Sequence, residues 1–375
     1  MADKKIYYGE SDYAVPPGET LSELLEYYHM TQKDLAIRLG MTCKTVNEII
    51  KGKAPVSPKT ALALENIFEP KAVYWLNLEA NYQAKLARII EKKRITKETE
   101  HLDKYSCYAE MAKYGWVPAT RKKEEKVVNL RNFFNVGSLE YFPDLPCASN
   151  FRHAAIADPS VIALAAWLQQ GENICRQIET KPFSFKTLKS IIPKLRTLTL
   201  CTVDIYKNLR DICASAGIAV TLLPHLKGTY VHGSTRWLSP EKVHINLSTR
   251  GAHADIFWFS FFHEIGHIML NHTKKNILIN YISHGENDIS MIREEKQREK
   301  EADQYSADTL IPPYEYKYFI GGTSDFSDAS VSTFAKNINI HPGIVWGRLA
   351  NDGHISWSAA NQGTRRTKLT FVPDP

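Results

Sequence analysis

Apolar residues recur every three or four positions through ETLSELLEYYHM, TQKDLAIRLGM, TCKTVNEIIKGK and SPKTALALENIF, and this spacing predicts a string of short helices over residues 19–68. Thr31, Thr42 and Ser57 stand where N-caps belong, Ser57 directly before Pro58, and Gly40 in the LGM turn permits the left-handed conformation that a tight interhelical connection needs. From Ala72 the pattern VYWLNLEANYQAKLARII predicts one longer amphipathic helix.

Residues 85–126 break the pattern with twelve Lys or Arg against seven Asp or Glu, a surplus of five positive charges, and read as a charged, partly helical connector. Helical spacing returns in VVNLRNFFNV, SVIALAAWLQQGENICRQIE and TVDIYKNLRDICASAG, which closes on Gly217. Then IAVTLLP (218–224), GTYVHGSTRWL (228–238) and KVHINLS (242–248) are short, rich in β-branched residues and bounded by Gly, Pro and Ser, the marks of a small antiparallel sheet. Two further helices come next, ADIFWFSFFHEIGHIMLNH and EEKQREKEADQYSADTLIPP, the second stopped by Pro312 and Pro313. The expected organisation is multidomain and mainly α: a tail over 1–16, a five-helix domain over 17–90, a charged helical linker over 91–126, a helical middle region over 127–217, and an α+β domain with its C-terminal segment over 218–375.

A chain of 375 residues exceeds one compact core, which agrees with several folded units. No apolar run approaches the roughly eighteen residues of a membrane span, and MADKKIYYGESDYAV lacks a signal-peptide layout, so a cytoplasmic protein is expected. The cysteines at 43, 107, 147, 175, 201 and 213 form no CxxC pair and read as free thiols. The net charge of +6 tolerates a nucleic-acid partner without demanding one.

The most specific chemistry lies in FFHEIGHIML (261–270). Positions i and i+4 share a helix face, so His263 and His267 can offer ring nitrogens to one zinc ion, while Glu264, about 100° round the helix, is placed as a general base rather than a ligand. Two core histidines satisfied by hydrogen bonds are the competing reading. It leaves three polar groups seeking partners in an apolar helix, whereas one ion satisfies them together. The third ligand cannot come from the HExxHxxGxxH pattern, since Leu270 and Thr273 occupy the glycine and histidine positions. The alternative arrangement takes a glutamate from a second, downstream helix, which REKEADQYSADTLIP over 298–312 supplies, packed through Ala302, Tyr305 and Ala307; Glu299 and Glu301 lie in it, and Glu294 and Glu295 just before it. Tyr281, His284, Tyr305 and His341 are possible transition-state donors, and His272 reads as a surface or packing histidine.

HEIGH after FWFSFF and before EADQYSADTLIPP resembles the ImmA/IrrE family of zinc metallopeptidases. The resemblance runs from about 127 to 350 and takes in LRNFFNVGSL and HPGIVWGRL (341–349). It implies a gluzincin-like α+β fold, zinc held by His263, His267 and Glu301, and Glu264 as catalytic base; Ser306 and Ala307 replace the usual Ala-Ala, and a substrate peptide is expected to add as a strand along an edge of the small sheet. Residues 16–87 resemble the helix-turn-helix domain of the xenobiotic-response-element class in its HigA-like antitoxin form. That likeness implies that the helix from Thr42 enters the major groove, with Cys43, Lys44, Asn47 and Glu48 toward bases, Gln32 against phosphate, and Thr45, Lys51 and Lys53 toward the backbone. Five basic against two acidic residues between 31 and 53 agree with it, and a homodimer on a palindromic operator is implied. Use of this helical bundle for protein contacts alone is the plainer reading. The pattern over 331–353 can be laid over residues 31–53, a match that shared helix-pair packing explains. Together these features predict a DNA-binding regulator carrying a zinc endopeptidase that cleaves a repressor, a toxin or itself. The alternative is a HigA-like antitoxin or repressor whose metallopeptidase fold is a sensing or partner-binding scaffold without catalysis.

Overall fold

A computed structural model describes residues 13–144, 159–201, 203–272, 278–281, 293–322 and 326–374. The chain divides into two compact units, Met1–Glu100 and His101–Pro375. The first is a helical bundle of α1 (Pro17–Tyr27), α2 (Gln32–Leu39), α3 (Cys43–Ile50), α4 (Pro58–Glu65) and α5 (Ala72–Glu98). Its punctuation reflects local chemistry. Thr31 accepts from Asp34 N in a capping box, Thr42 from Thr45 N, and Ser57 from Thr60 N, while Gly40 ends α2 at φ 65°. Helix α1 begins at Pro17, earlier than the apolar spacing indicates, because Pro17 fits the first helical position. Leu21, Leu35, Val46, Leu64 and Trp75 fill the core. Gly18 lets α1 lie against α3; a Cβ there would fall 2.1 Å from Ile50 O.

The charged stretch 91–126, expected as a partly helical connector, is largely helical and carries buried residues. Helix α5 runs unbroken to Glu98, and after a 3₁₀ segment (Thr99–Tyr105) come α6 (Tyr108–Lys113) and α7 (Lys123–Phe134). Tyr105, Cys107, Tyr108, Met111 and Trp116 are buried, with the Tyr105 ring against Phe134 and Phe142. The tail over 1–12 and Cys147 lie outside the described residues. Next come α8 (Pro159–Cys175), α9 (Phe185–Thr197) and α10 (Ile205–Ala214). Helix α8 packs on strands of the sheet, so the middle region shares a core with the α+β part of the chain.

Strands β1 (Ile218–Leu223), β2 (Val231–Ser239), β3 (Lys242–Ser248) and β4 (Leu278–Tyr281) form a sheet in the order β1-β3-β2-β4. The expectation of an antiparallel sheet is corrected here: β1 pairs parallel with β3, while β2 pairs antiparallel with both β3 and β4, so the sheet is mixed. The short β2–β3 connection makes that pair antiparallel, and β1 lies beyond β3 rather than beside β2. Every residue of β1 is buried, as suits a strand covered on both faces.

Helix α11 (Ala254–Met269) is the axis of the second unit, with Trp258, Phe261, Phe262 and Ile265 fully enclosed. Around it lie the sheet, α12 (Arg293–Leu310) and α15 (Pro342–Asn351); α13 (Pro313–Gly322), α14 (Asp328–Asn337) and α16 (Trp357–Ala360) complete the unit. Ile344, Val345, Trp346 and Leu349 of α15 are core residues, which accounts for the 331–353 pattern as packing. No helix among the described residues is long and apolar enough to cross a membrane.

Candidate metal centre and helix-turn-helix surface

The phase of α11 puts His263 and His267 one turn apart, their Nε2 atoms 2.9 Å from each other. Gly266, between them, admits α12 at close range: a Cβ there would stand 3.3 Å from Ala302 Cα and 3.1 Å from the Tyr305 ring. This approach delivers Glu299, whose Oε2 lies 3.1 Å from His263 Nε2 and whose Oε1 lies 3.3 Å from His267 Nε2. Ligands about 2.0–2.1 Å from a tetrahedral zinc ion are separated by about 3.3 Å, so the three donors suit such an ion. Their other atoms are fixed as well. His263 Nδ1 bonds Asp303 Oδ1 at 2.8 Å, and His267 Nδ1 lies 3.2 Å from His272 Nδ1. These contacts leave both Nε2 atoms facing Glu299.

Glu301, the third ligand that the family resemblance implied, is not among these donors. It is exposed, accepts from Gln297 Nε2 at 2.9 Å, and lies 3.1 Å from His272 Nε2. Residues two positions apart on a helix differ by about 200° in direction, so Glu299 and Glu301 cannot face the same pair of histidines. His272, read from sequence as a surface or packing residue, therefore links Glu301 to His267. Tyr305 is half-buried against Gly266 and bonds Thr309, and His341 caps α15 by accepting from Gly343 N at 3.0 Å. The Tyr281 side chain and His284 lie outside the described residues.

Glu264 sits beside the cage without joining it. Thr235 Oγ1 on β2 donates to its Oε2 at 2.5 Å, and its Oε1 has no hydrogen-bond partner among the described residues. Gly233 makes the space, since a Cβ would come within 2.5 Å of that oxygen. Burial pushes the Glu264 carboxyl up to about 8, against the opposing pull of His263 and Thr235. Burial also disfavours a charged His263, but its hydrogen bonds to Asp303 and Glu299 outweigh this and hold it at about 10. Glu299 is likewise opposed by burial yet held at about 2 by the two histidines, while burial lowers His267. The donors are arranged around a place for positive charge.

In the first unit, α2 and α3 meet at the Gly40 turn and bury Leu35, Ala36, Val46 and Ile49. Gln32, Cys43, Lys44, Lys51 and Lys53 are exposed, Asn47 and Glu48 half-exposed, all outside that buried face. Lys44 Nζ is 3.9 Å from Glu48 Oε1. Thr45 is half-buried and its hydroxyl lies 2.9 Å from Thr42 Oγ1, so it serves the start of α3.

No family model matches the chain, and no curated protein matches it. Two solved structures resemble the N-terminal part. One is an addiction-module antidote protein of the HigA family from Coxiella burnetii, 34% identical, covering 23% of this chain and 94% of its own, with a TM-score of 0.21. The other is the Pseudomonas aeruginosa antitoxin HigA with the higBA promoter, 30% identical, covering 23% of this chain and 95% of its own, with a TM-score of 0.22.

Proposed function

We propose that the chain is a DNA-binding regulator whose second unit is a zinc-dependent endopeptidase acting on a regulatory protein or on the chain itself. The hydrolase half is carried by one observation: donor atoms of His263, His267 and Glu299 all lie within 4.8 Å of one another, next to a buried carboxylate with an oxygen that has no partner among the described residues. Zinc held by these residues would polarise a peptide carbonyl and acidify water. Thr235 engages Glu264 Oε2, which leaves Oε1 to take a proton and return it to the departing amine. Asp303 and His272 keep the two imidazoles turned so that their Nε2 atoms serve as ligands.

The test is Glu264→Gln in the full-length protein, with zinc measured by elemental analysis and cleavage by mass spectrometry of a peptide library and of the chain itself. The variant is expected to keep the ion and lose cleavage by about a thousandfold or more. Undiminished cleavage would overturn the assignment.

A second reading, a metal-holding sensor without catalysis, is favoured by closure of the centre. His263, Glu264 and His267 are no more than 1% exposed, and β4 pairs with β2 across Gly233 and Thr235, the residues against Glu264. A substrate strand must therefore add outside β4 or displace it. Wild-type protein that binds one zinc per chain yet cleaves neither library nor itself would favour this reading.

In the first unit, α3 is the proposed reading helix, presenting Cys43, Lys44, Asn47 and Glu48 to the major groove with Gln32, Lys51 and Lys53 toward phosphates. A promoter, the DNA named for one of the similar antitoxins, is the class of site proposed.

A further inference from the structure

A cavity of about 400 Å³ in the second unit adjoins the metal centre without including its donors. Phe259 and Ser260 form one wall, a single turn before His263 on α11. Asp303 forms another, one turn after Glu299 and bonded to His263 Nδ1. A third is His232, the extra residue of a bulge between Val231 and Gly233, and Gly233 is what packs against Glu264. Three walls thus each stand one step from a member of the centre.

The rest of the lining is mostly apolar, contributed by Ile256, Ala307, Leu310, Ile311, Ile344 and Trp357. Arg366 pairs with Asp255 at 2.8 Å, Arg348 with Asp352 at 2.6 Å, and Asp303 with His263 Nδ1 at 2.8 Å, while Asp255 Oδ1 is buried with no hydrogen-bond partner among the described residues. Burial, then the charge of Arg250, drives His232 down to about 4, so it is a neutral imidazole. Volumes of about 300–1,000 Å³ with apolar walls and a few polar groups suit small ligand groups, and burying a large apolar side chain out of water is favourable.

We propose that this cavity is a specificity pocket that takes a large apolar side chain, of leucine, phenylalanine or methionine type, from a bound protein. Its link to cleavage rests on the hydrolase reading above; its link to side-chain binding rests on the cavity alone.

The experiment uses the full chain in metal-free and zinc-loaded forms. Binding of N-acetyl-phenylalaninamide, N-acetyl-leucinamide and N-acetyl-alaninamide is followed by ligand-observed NMR, and cut sites are mapped on a peptide library. The variants are Ala307→Phe, which fills the cavity, and Trp357→Ala, which removes a half-exposed wall and leaves the core intact if the first fails to fold. Expected are binding of the phenylalanine and leucine amides at least tenfold tighter than the alanine amide, loss of that preference in both variants, and cuts concentrated beside large apolar residues. No preference among the amides, or a preference both variants retain, overturns the pocket. Cleavage without such selectivity overturns it too and leaves the hydrolase standing; selective binding without cleavage upholds the pocket and removes the hydrolase.

Discussion

Glu299 holds its carboxylate 3.1 Å from His263 Nε2, bridging α12 to α11 at the one place where Gly266 lets the helices close up. Glu299→Ala should therefore drop bound zinc from one per chain to under about a tenth, because two imidazoles alone leave a structural or catalytic zinc site short of its third protein ligand. Glu301→Ala should retain the ion. Elemental analysis after dialysis decides between them, and the reverse pattern would return the ligand role to Glu301.

The outer contacts predict a graded effect. Asp303 orients His263 and His272 orients His267, so Asp303→Ala and His272→Ala should each weaken zinc binding by about 10–100-fold without abolishing it. Competition with a zinc chelator measures this. An unchanged affinity in both would mean that neither contact positions a ligand.

Gly233 tests whether Glu264 must stand where it does. A methyl group there would meet Glu264 Oε1 at 2.5 Å, and the buried carboxylate has to yield. Gly233→Ala should keep zinc but lower peptide cleavage by about a hundredfold, the scale expected when a reacting group shifts by an ångström. Full activity in this variant would show that the carboxylate is free to move.

How much of this was legible depends on whether the signal is local. Thr31, Thr42 and Ser57 cap their helices because a hydroxyl three residues before a free N–H needs nothing distant, and the His263–His267 pair is set by helix phase alone. Helix α9 gave no such signal, since Pro193 stands inside it. The parallel pairing of β1 depends on a partner more than twenty residues away; its only sequence trace is the unalternated apolar run IAVTLL, which also suits other buried settings. Lysines and glutamates masked the buried aromatics Tyr105, Tyr108 and Trp116 in the supposed linker. Choosing Glu299 over Glu301 needed the inward phase of α12. Among its described residues Ala302, Ser306 and Leu310 are buried, and Glu299, three, seven and eleven positions before them, shares their face.

The fold has an acid-sensitive contact apart from the candidate metal centre. Glu172 on α8 accepts from Arg176 at 2.6 Å and pairs with Arg236 on β2. Burial would raise its pKa, but the hydrogen bond and charge of Arg236, joined by Arg176, hold it below the ordinary 4.5. Because the folded value is the lower one, the stabilisation is present above about 4.5 and disappears as pH falls through the folded value. Glu172→Gln should cost about 2 kcal/mol at neutral pH, less than a fully enclosed pair. Thermal unfolding at descending pH should show variant and wild type converging in acid; a constant gap would mean that packing, not charge, is what Glu172 supplies.

The DNA-reading proposal separates two kinds of side chain on one surface. Lys51 and Lys53 are exposed just past the body of α3, where contact with phosphate would carry no sequence information, whereas Asn47 is within the helix and half-exposed, and is the proposed reader of base edges. Lys51→Ala and Lys53→Ala should each weaken binding evenly across sequences and reduce the slope of log affinity against log salt by about 1. Asn47→Ala should instead cost about 1–3 kcal/mol on the preferred site and little on others, relaxing one base position. Sites selected from random duplexes and titrated by fluorescence anisotropy at several salt concentrations distinguish these outcomes. If all three substitutions act alike, recognition lies off α3; if no duplex binds with salt dependence, the bundle serves protein contacts and the operator proposal fails independently of the metal centre.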